Sequence, residues 1–350
     1  MKTSDLIEKT EDALKSCLQR VPFLEVESIR REARLQDAGI DIMVTVQVAG
    51  KQQRLIVEVK NNGQPREARM SAYQLARYRQ TSPDVYGVFA APYISPQAAA
   101  ICSKEGVGCL DLAGNCRLMF DNVYINQEGK PNPFTEKRDL RSLYSPRASR
   151  VLRVLLNDPK RPWRVVALAD EARVSLGLVS NVKSLLGGRE WLTYTEDGFR
   201  LSDPEQLLAE WSESYSIRKN KSYGYYSLKN IAEIETELAQ ACERKGIAYA
   251  LTGFSGSARY APSVRYQRVM AYVASGLEDV ANELGFKEVT SGQNVTMLIP
   301  YDKCLLYGSR TVDGISIVSP VQVYLDLIGQ KGRGEEAATT LLDEVIRQTW

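Results

Sequence analysis

Residues 54–60 read Arg54-Leu55-Ile56-Val57-Glu58-Val59-Lys60, an apolar run that closes on a carboxylate and an ammonium group two positions apart. Alternate residues of a strand share a face, so Glu58 and Lys60 emerge side by side where the strand ends. Upstream, Ile40 to Ala49 is a second apolar run, and Gly50-Lys51 between the two predicts a hairpin. Asp41, at the start of that run, is thereby brought toward Glu58. Two carboxylates near one point, Asp41 and Glu58, make an oxygen-only site suited to a hard divalent cation, Mg²⁺ or Mn²⁺. Such an ion activates a water and neutralises a phosphodiester, while Lys60 orients the attacking species. A plain ion pair at a solvated strand end has the same local appearance.

Working outward, residues 1–127 alternate helical and strand patterns, as an α/β domain does. A polar opening helix covers Thr3 to Arg20. A helix is predicted over Arg66 to Gln80, a strand over Val85 to Ala90, and a helix capped by Ser95-Pro96 that runs to Lys104. Strands over Val107 to Leu112 and Arg117 to Ile125 complete the set. From Asn126 to Ser145 the pattern lapses into Gly129, Pro131, Pro133 and a charged run, which reads as a connector.

Composition removes whole classes of chemistry. The 350 residues contain no histidine, so Ser-His-Asp hydrolases, Cys-His proteases and His-ligated zinc enzymes are excluded. The six cysteines form no Cys-x-x-Cys pair, which leaves buried, reduced thiols as the expectation. No apolar run reaches membrane-spanning length and the N-terminus lacks a signal peptide's apolar core, so a cytoplasmic protein without a membrane partner is expected. A net charge of +2 says little by itself, but basic residues crowd Lys137 to Arg164: Lys137, Arg138, Arg141, Arg147, Arg150, Arg153, Lys160, Arg161 and Arg164.

With those residues in view, the N-terminal pattern resembles the PD-(D/E)XK superfamily, the restriction-endonuclease-like fold. Asp41 looks like its first acidic position and Glu58-Val59-Lys60 like its E-x-K. Glu27, taken as lying on the opening helical stretch, is similar to the extra helix-borne carboxylate of many members. Gln74 and Tyr78 look like the Q-x-x-x-Y element of the RecB-like branch. Ile40 stands where that family commonly has proline. The resemblance implies a catalytic set of Glu27, Asp41, Glu58, Lys60, Gln74 and Tyr78, either as a working metal-dependent DNA nuclease or as a scaffold that binds without cutting.

Past the connector, residues 138–211 carry a different pattern. Pro146 to Asn157 has apolar residues at helical spacing, Val165 to Ala172 gives a short helix, Arg173-Val174-Ser175 a turn and Leu176 to Leu186 a third helix, closed by Gly187-Gly188. Trp191 to Tyr194 and Phe199 to Leu201 flank Glu196-Asp197-Gly198 as a hairpin. The succession resembles the winged helix-turn-helix family. It implies double-stranded DNA as partner, with Ser175, Ser180, Asn181 and Lys183 on the reading helix and Arg164, Arg189 and Arg200 on the backbone. A dimerisation or purely structural winged helix would show similar polar faces.

Ser212 to Ser227 reads as a second, tyrosine- and lysine-rich connector: Tyr215, Tyr223, Tyr225 and Tyr226 with Arg218, Lys219 and Lys221 either meet nucleic acid or pack between domains. In residues 228–350, Leu251-Thr252-Gly253-Phe254-Ser255-Gly256-Ser257 looks like the glycine-serine turn of nucleotidyltransferases, yet no Asp or Glu occurs between Glu243 and Glu278 to hold metal and phosphate. Nucleotidyl transfer is therefore not expected. From Arg138 to Trp350 the arrangement is similar to the AbiEi family of antitoxin-type transcriptional regulators, and Val318-Ser319-Pro320-Val321-Gln322-Val323-Tyr324-Leu325-Asp326-Leu327 looks like its late helix.

The expectation is thus a multidomain α/β and α+β protein: restriction-endonuclease-like domain, winged helix-turn-helix, and degenerate nucleotidyltransferase-like domain. The resemblance implies a regulator that binds promoter DNA beside a toxin gene, with a cognate toxin as further partner and a homodimer left open. An Mg²⁺-dependent endonuclease targeted by the winged helix is the alternative, and an interaction scaffold that touches no nucleic acid is a third.

Overall fold

A computed structural model describes residues 3–35, 38–82, 84–134, 143–262, 265–330 and 333–350. The chain divides into two compact units, Met1–Leu140 with Leu185–Glu190 and Arg141–Ser184 with Trp191–Trp350.

The first unit is built on a seven-stranded sheet whose spatial order follows the chain: β1 (Leu24–Leu35), β2 (Ala38–Val48), β3 (Lys51–Val59), β4 (Val85–Ala91), β5 (Gly108–Asp111), β6 (Cys116–Phe120) and β7 (Val123–Gln127). β3, β4 and β5 are parallel and the outer pairs antiparallel. Parallel neighbours need crossovers, supplied by helices α2 (Pro65–Thr81) and α3 (Pro96–Lys104). Both pack on one face, over Ile56, Val85 and Phe89. Helix α1 (Thr3–Leu18) covers the other, its Leu6, Leu14 and Leu18 lying on Val44, Val57 and Val88. β4 is buried throughout, as a central strand covered on both faces must be.

Two elements differ from the sequence-based expectation. β1 is a strand where only the tail of the opening helix was anticipated. It lies at the sheet edge with Glu25, Glu27 and Arg30 facing solvent, so its charge hides the alternation. The single strand expected over Arg117 to Ile125 is a hairpin, turned at Asp121 with φ 45° and paired Phe120 to Val123. All six cysteines are free, and the Cys17 and Cys116 sulfurs meet at 2.6 Å in the core beneath α1.

The second unit begins with helices α4 (Ala148–Asn157), α5 (Val165–Ala172) and most of α6 (Leu176–Gly188, whose residues from Leu185 on group with the first unit), then the hairpin β8 (Leu192–Thr195) and β9 (Gly198–Leu201) and helix α7 (Pro204–Ser214). α6 runs through the Gly187-Gly188 pair expected to stop it; the left-handed turn falls on Glu190 (φ 62°) instead. Gly198 is required where it stands. At φ 140° its α-carbon presses on the Trp163 carbonyl, which a β-carbon would approach to 2.2 Å, and Trp163 pairs with Phe199 as a third rung of the hairpin.

A second seven-stranded sheet follows, ordered β13-β10-β14-β12-β11-β16-β15, from β10 (Lys221–Tyr226), β11 (Tyr249–Leu251), β12 (Val269–Val273), β13 (Lys287–Glu288), β14 (Val295–Ile299), β15 (Arg310–Val312) and β16 (Ile315–Ile317). Helices α8 (Ile231–Arg244), α9 (Gly253–Tyr260), α10 (Leu277–Glu283), α11 (Pro320–Ile328) and α12 (Arg333–Leu341) accompany it. The stretch expected as a second connector is therefore structured: Lys221–Tyr226 is β10, hydrogen-bonded between β13 and β14. Tyr225 alternates inward and is buried, while Tyr226 is exposed.

Candidate functional site

In the first unit the hairpin register Ile42↔Val57 sets Asp41 across from Glu58 at the end of β3. One Asp41 oxygen, Oδ2, accepts the Val59 amide at 2.7 Å. Lys60 donates from Nζ to Glu58 Oε1 at 2.5 Å, and Gln74 donates from Nε2 to Glu58 Oε2 at 3.1 Å. Gln74 reaches the carboxylate because α2 lies close on the sheet: Gly87 of β4 faces the Leu75 β-carbon, which a side chain at 87 would meet at 2.8 Å. Glu58 is only 7% exposed, whereas the Lys60 side chain keeps 32% of its surface. Burial opposes the Lys60 charge, but the Glu58 hydrogen bond and the Glu58, Asp41 and Glu67 charges prevail and hold its pKa above the ordinary lysine value.

Four expected residues thus come together: Asp41, Glu58, Lys60 and Gln74. Tyr78, one turn beyond Gln74 on α2, packs against the apolar cluster beneath that helix. Glu27 does not join them. It lies on β1, not on a helix, and accepts from Gln52 Nε2 at 2.7 Å. Gln52 is six residues before Glu58 on the extended β3, which puts roughly 20 Å between the two ends. Of the carboxylates that α1 carries, the buried Glu11 is bound to Lys15 at 2.6 Å and Arg31 at 2.5 Å, which hold its pKa below the usual carboxylate range. α1 covers the sheet face opposite α2, so Glu11 is across the sheet from Glu58.

No group of three or more metal-ligating His, Cys, Asp or Glu side chains occurs among the described residues. Asp41 and Glu58 are therefore a two-carboxylate set. That set fits a cation such as Mg²⁺, which takes one or two carboxylates and completes its shell with water and phosphate oxygens. Binding there would compete with Lys60 and Gln74 for the Glu58 oxygens.

In the second unit Ser180 and Asn181 are exposed on α6, and the exposed Ser175 just ahead of it caps the helix by accepting the Leu178 amide at 3.3 Å. Lys183 is partly buried and leans on the hairpin, its ammonium 5.3 Å from the Tyr194 ring and 5.1 Å from Phe199. Arg164 and Arg200 are exposed, while Arg189 folds back to the Leu185 carbonyl at 3.2 Å. Val166, Leu176 and Tyr194 are exposed apolar residues of the same helices and hairpin.

The basic run is only partly a surface feature. Lys137, Arg138 and Arg141 lie outside the described residues. Arg150 is paired with Asp302 at 2.8 Å and Arg153 is 1% exposed, which leaves Arg147, Lys160, Arg161 and Arg164 in solvent.

Arg153 belongs to a buried network that sequence reading missed. Its guanidinium lies 4.8 Å from the Trp211 ring and donates to Gln322 Oε1 at 2.7 and 3.1 Å. The Gln322 amide in turn donates to Asp326 Oδ1 at 3.0 Å and to the Tyr215 hydroxyl at 2.9 Å. Asp326 also accepts from Tyr215 at 2.6 Å, Thr252 at 2.5 Å and Tyr272 at 3.0 Å. Burial pushes the Asp326 carboxyl above the ordinary aspartate value, against the pull of these donors. The network ties α4 and α7 to the second sheet, so the helical module and that sheet share one polar core.

Residues 200–347, which contain Tyr215, Thr252, Tyr272, Gln322 and Asp326, match the family described as "Transcriptional regulator, AbiEi antitoxin, Type IV TA system". No curated protein matches the chain. Among solved structures the chain is similar to "crystal structure of a repair endonuclease from Pyrococcus abyssi", with 19% identity, 29% of this chain and 46% of that one covered, and a TM-score of 0.22. It is similar also to the "Structure of EndoMS-dsDNA2 complex" and the "Structure of EndoMS in apo form", each with 16% identity over 29% of this chain, 43% and 45% of theirs, and TM-scores of 0.22. The chain spans less than half the length of these proteins. No helix among the described residues is long and apolar enough to cross a membrane.

Proposed function

We propose that the protein is a DNA-binding transcriptional regulator of the AbiEi antitoxin type, with a winged helix-turn-helix ahead of a degenerate nucleotidyltransferase-like domain and a nuclease-like domain at its N-terminus. The observation that carries the reading is the exposed pair Ser180 and Asn181 on α6, with the exposed Ser175 capping that helix, ahead of the stretch similar to that family. An exposed polar helix backed by a hairpin has the dimensions of a major-groove reader. In this reading Asn181 and Ser180 meet base edges, Val166 and Leu176 lie against thymine methyls, and Arg164 and Arg200 hold phosphates. Lys183 serves instead to brace the helix on the hairpin. The regulated gene is that of a cognate toxin.

Anisotropy titration of the full chain with duplex from its own upstream region, at several salt concentrations, tests this. Asn181→Ala weakens the specific complex by about 1–3 kcal/mol, and Arg164→Gln weakens specific and scrambled duplexes alike and lowers the salt slope by about one. Equal affinity for both duplexes in the wild type overturns the reading.

A second reading, a metal-dependent DNA endonuclease, rests on the meeting of Asp41, Glu58, Lys60 and Gln74. Asp41 and Glu58 would hold Mg²⁺ or Mn²⁺, which supplies an activated water and charge neutralisation at phosphorus. Lys60, kept cationic, stabilises charge at the attacked phosphate, and Gln74 fixes the Glu58 rotamer. Cleavage of duplex DNA that needs the metal and is lost in Glu58→Ala supports it; metal-independent nicking refutes it.

A further inference from the structure

A cleft of about 730 Å³ opens in the second unit, lined by residues that border the Asp326 network, since Gln330 donates to the Asp326 carbonyl at 3.0 Å. Its walls carry three arginines, Arg265, Arg268 and Arg333, the aromatic rings of Phe254 and Tyr266, and the side-chain amides of Gln293 and Asn294. Among the described residues no carboxylate lines it. Three other arginines of this unit pair with acids: Arg150 with Asp302, Arg244 with Glu283, Arg259 with Glu235. Among the described residues none of the three cleft arginines has a carboxylate partner. Each of two is held by a backbone carbonyl instead, Arg268 by Gln293 at 3.1 Å and Arg333 by Arg265 at 2.9 Å. Glu235, the carboxylate behind Tyr266, takes that hydroxyl at 2.7 Å and Arg259 at 2.7 Å.

Cations that share one cleft without counter-charge repel one another, and a ligand that brings several negative charges at once relieves this. Guanidinium groups in particular match phosphate oxygens. The volume lies within the range of small-molecule sites. Phe254 supplies a ring for stacking, and the Gln293 side-chain amide offers a donor and an acceptor to a heterocycle edge, while the Asn294 amide is held on the Ser227 backbone at 2.7 and 2.9 Å. Gly253, at φ 58° with the Met270 sulfur 3.0 Å from where a β-carbon would sit, fixes the approach of Phe254 to the cleft.

We infer that this cleft binds a free nucleotide carrying two or more phosphates, with Arg265, Arg268 and Arg333 on the phosphates and Phe254 against the base. The site stands independently of the α6 reading and of the Glu58 centre.

Isothermal titration of the full chain with ATP and GTP, in EDTA so that no metal bridges at Asp41 and Glu58, reads it directly. Saturable one-to-one binding is expected. Arg268→Gln and Arg333→Gln each weaken it about tenfold or more, consistent with loss of a charge-assisted hydrogen bond. Arg244→Gln removes an equal charge elsewhere on the same unit and leaves the affinity unchanged. Inorganic triphosphate binds more weakly than ATP, and Phe254→Ala removes that difference. Because Arg333→Gln disturbs a helix start, its melting curve is compared with wild type, and Arg268→Gln carries the test if it is destabilised. No saturable heat, equal loss in Arg244→Gln, or inorganic triphosphate binding as tightly as ATP overturns the proposal. Duplex DNA that displaces ATP and loses affinity in the same two arginine variants overturns it in favour of a polymer surface.

Discussion

Glu58 and Asp326 are both buried carboxylates, yet their surroundings differ in kind. Glu58 stands at a strand end between a cation and one amide, and the cation keeps 32% of its side chain in solvent. Asp326 is 1% exposed and takes its hydrogen bonds from neutral donors on Tyr215, Thr252, Tyr272 and Gln322, with Arg153 reached only through Gln322. An acid that pairs with a half-open lysine can exchange that partner for an incoming ligand. One sealed by four donors, three of them from distant segments, cannot change partners without leaving buried groups unpaired, so its role is cohesion.

The most severe way to probe the contrast is Asp326→Ala. Buried hydroxyls of Thr252 and Tyr272 and the Gln322 amide lose their acceptor together, which costs about 3–5 kcal/mol and lowers the urea midpoint of the second unit. A loss below about 1 kcal/mol would show that the network is dispensable. Asp326→Asn isolates the charge. Because burial raises the folded carboxyl above its unfolded value, the native state holds the proton more tightly. Asp326 therefore costs the wild type stability as pH rises from about 3.9 through the raised folded value. The stability difference between wild type and Asp326→Asn shifts against the wild type over that window and is flat outside it. Melting curves taken across acid to neutral pH check the sign.

Much of the Glu58 centre was legible because its parts are close in sequence or carried by strong local signals. The hairpin and Glu58-x-Lys60 follow from alternation, and Ser95-Pro96 predicts a helix start that the Ser95 hydroxyl caps at the Ala98 amide. Glu27 was misplaced because an edge strand with one charged face shows neither the run nor the clean alternation of a buried one. The Asp326 network was illegible for a different reason. Three of the four donors to Asp326 come from 54 to 111 positions away, and nothing local distinguishes Arg153 from the exposed arginines around it. Likewise Tyr215 and Tyr225 looked like linker tyrosines until tertiary pairing turned them inward. The acid-free stretch from Glu243 to Glu278 was visible, but that it furnishes Arg265 and Arg268 to a cleft depends on the sheet.

On the other side of the comparison, Lys60→Met strips Glu58 of its cation but leaves Gln74 in place. Lys60 is partly solvated, so the loss is discounted to about 1–2 kcal/mol near neutral pH. Its folded pKa is raised, hence its contribution is complete below about 10.4 and disappears as pH climbs through the folded value. Wild type and Lys60→Met therefore converge in strong alkali.

The smallest effect belongs to Gln74→Ala. One neutral hydrogen bond at 3.1 Å to a carboxylate that keeps its lysine contributes roughly 0.5–1.5 kcal/mol, and the exposed alternative for that oxygen is water. If the Glu58 centre is an exchangeable site, freeing Oε2 does more for ligand access than for stability. Mn²⁺ affinity, followed by the relaxation of bound water, then rises or holds in Gln74→Ala while the melting temperature barely falls. In a cohesive network of the Asp326 kind, the same truncation would lower stability by several kcal/mol and leave metal affinity at background, which erases the distinction between the two carboxylates.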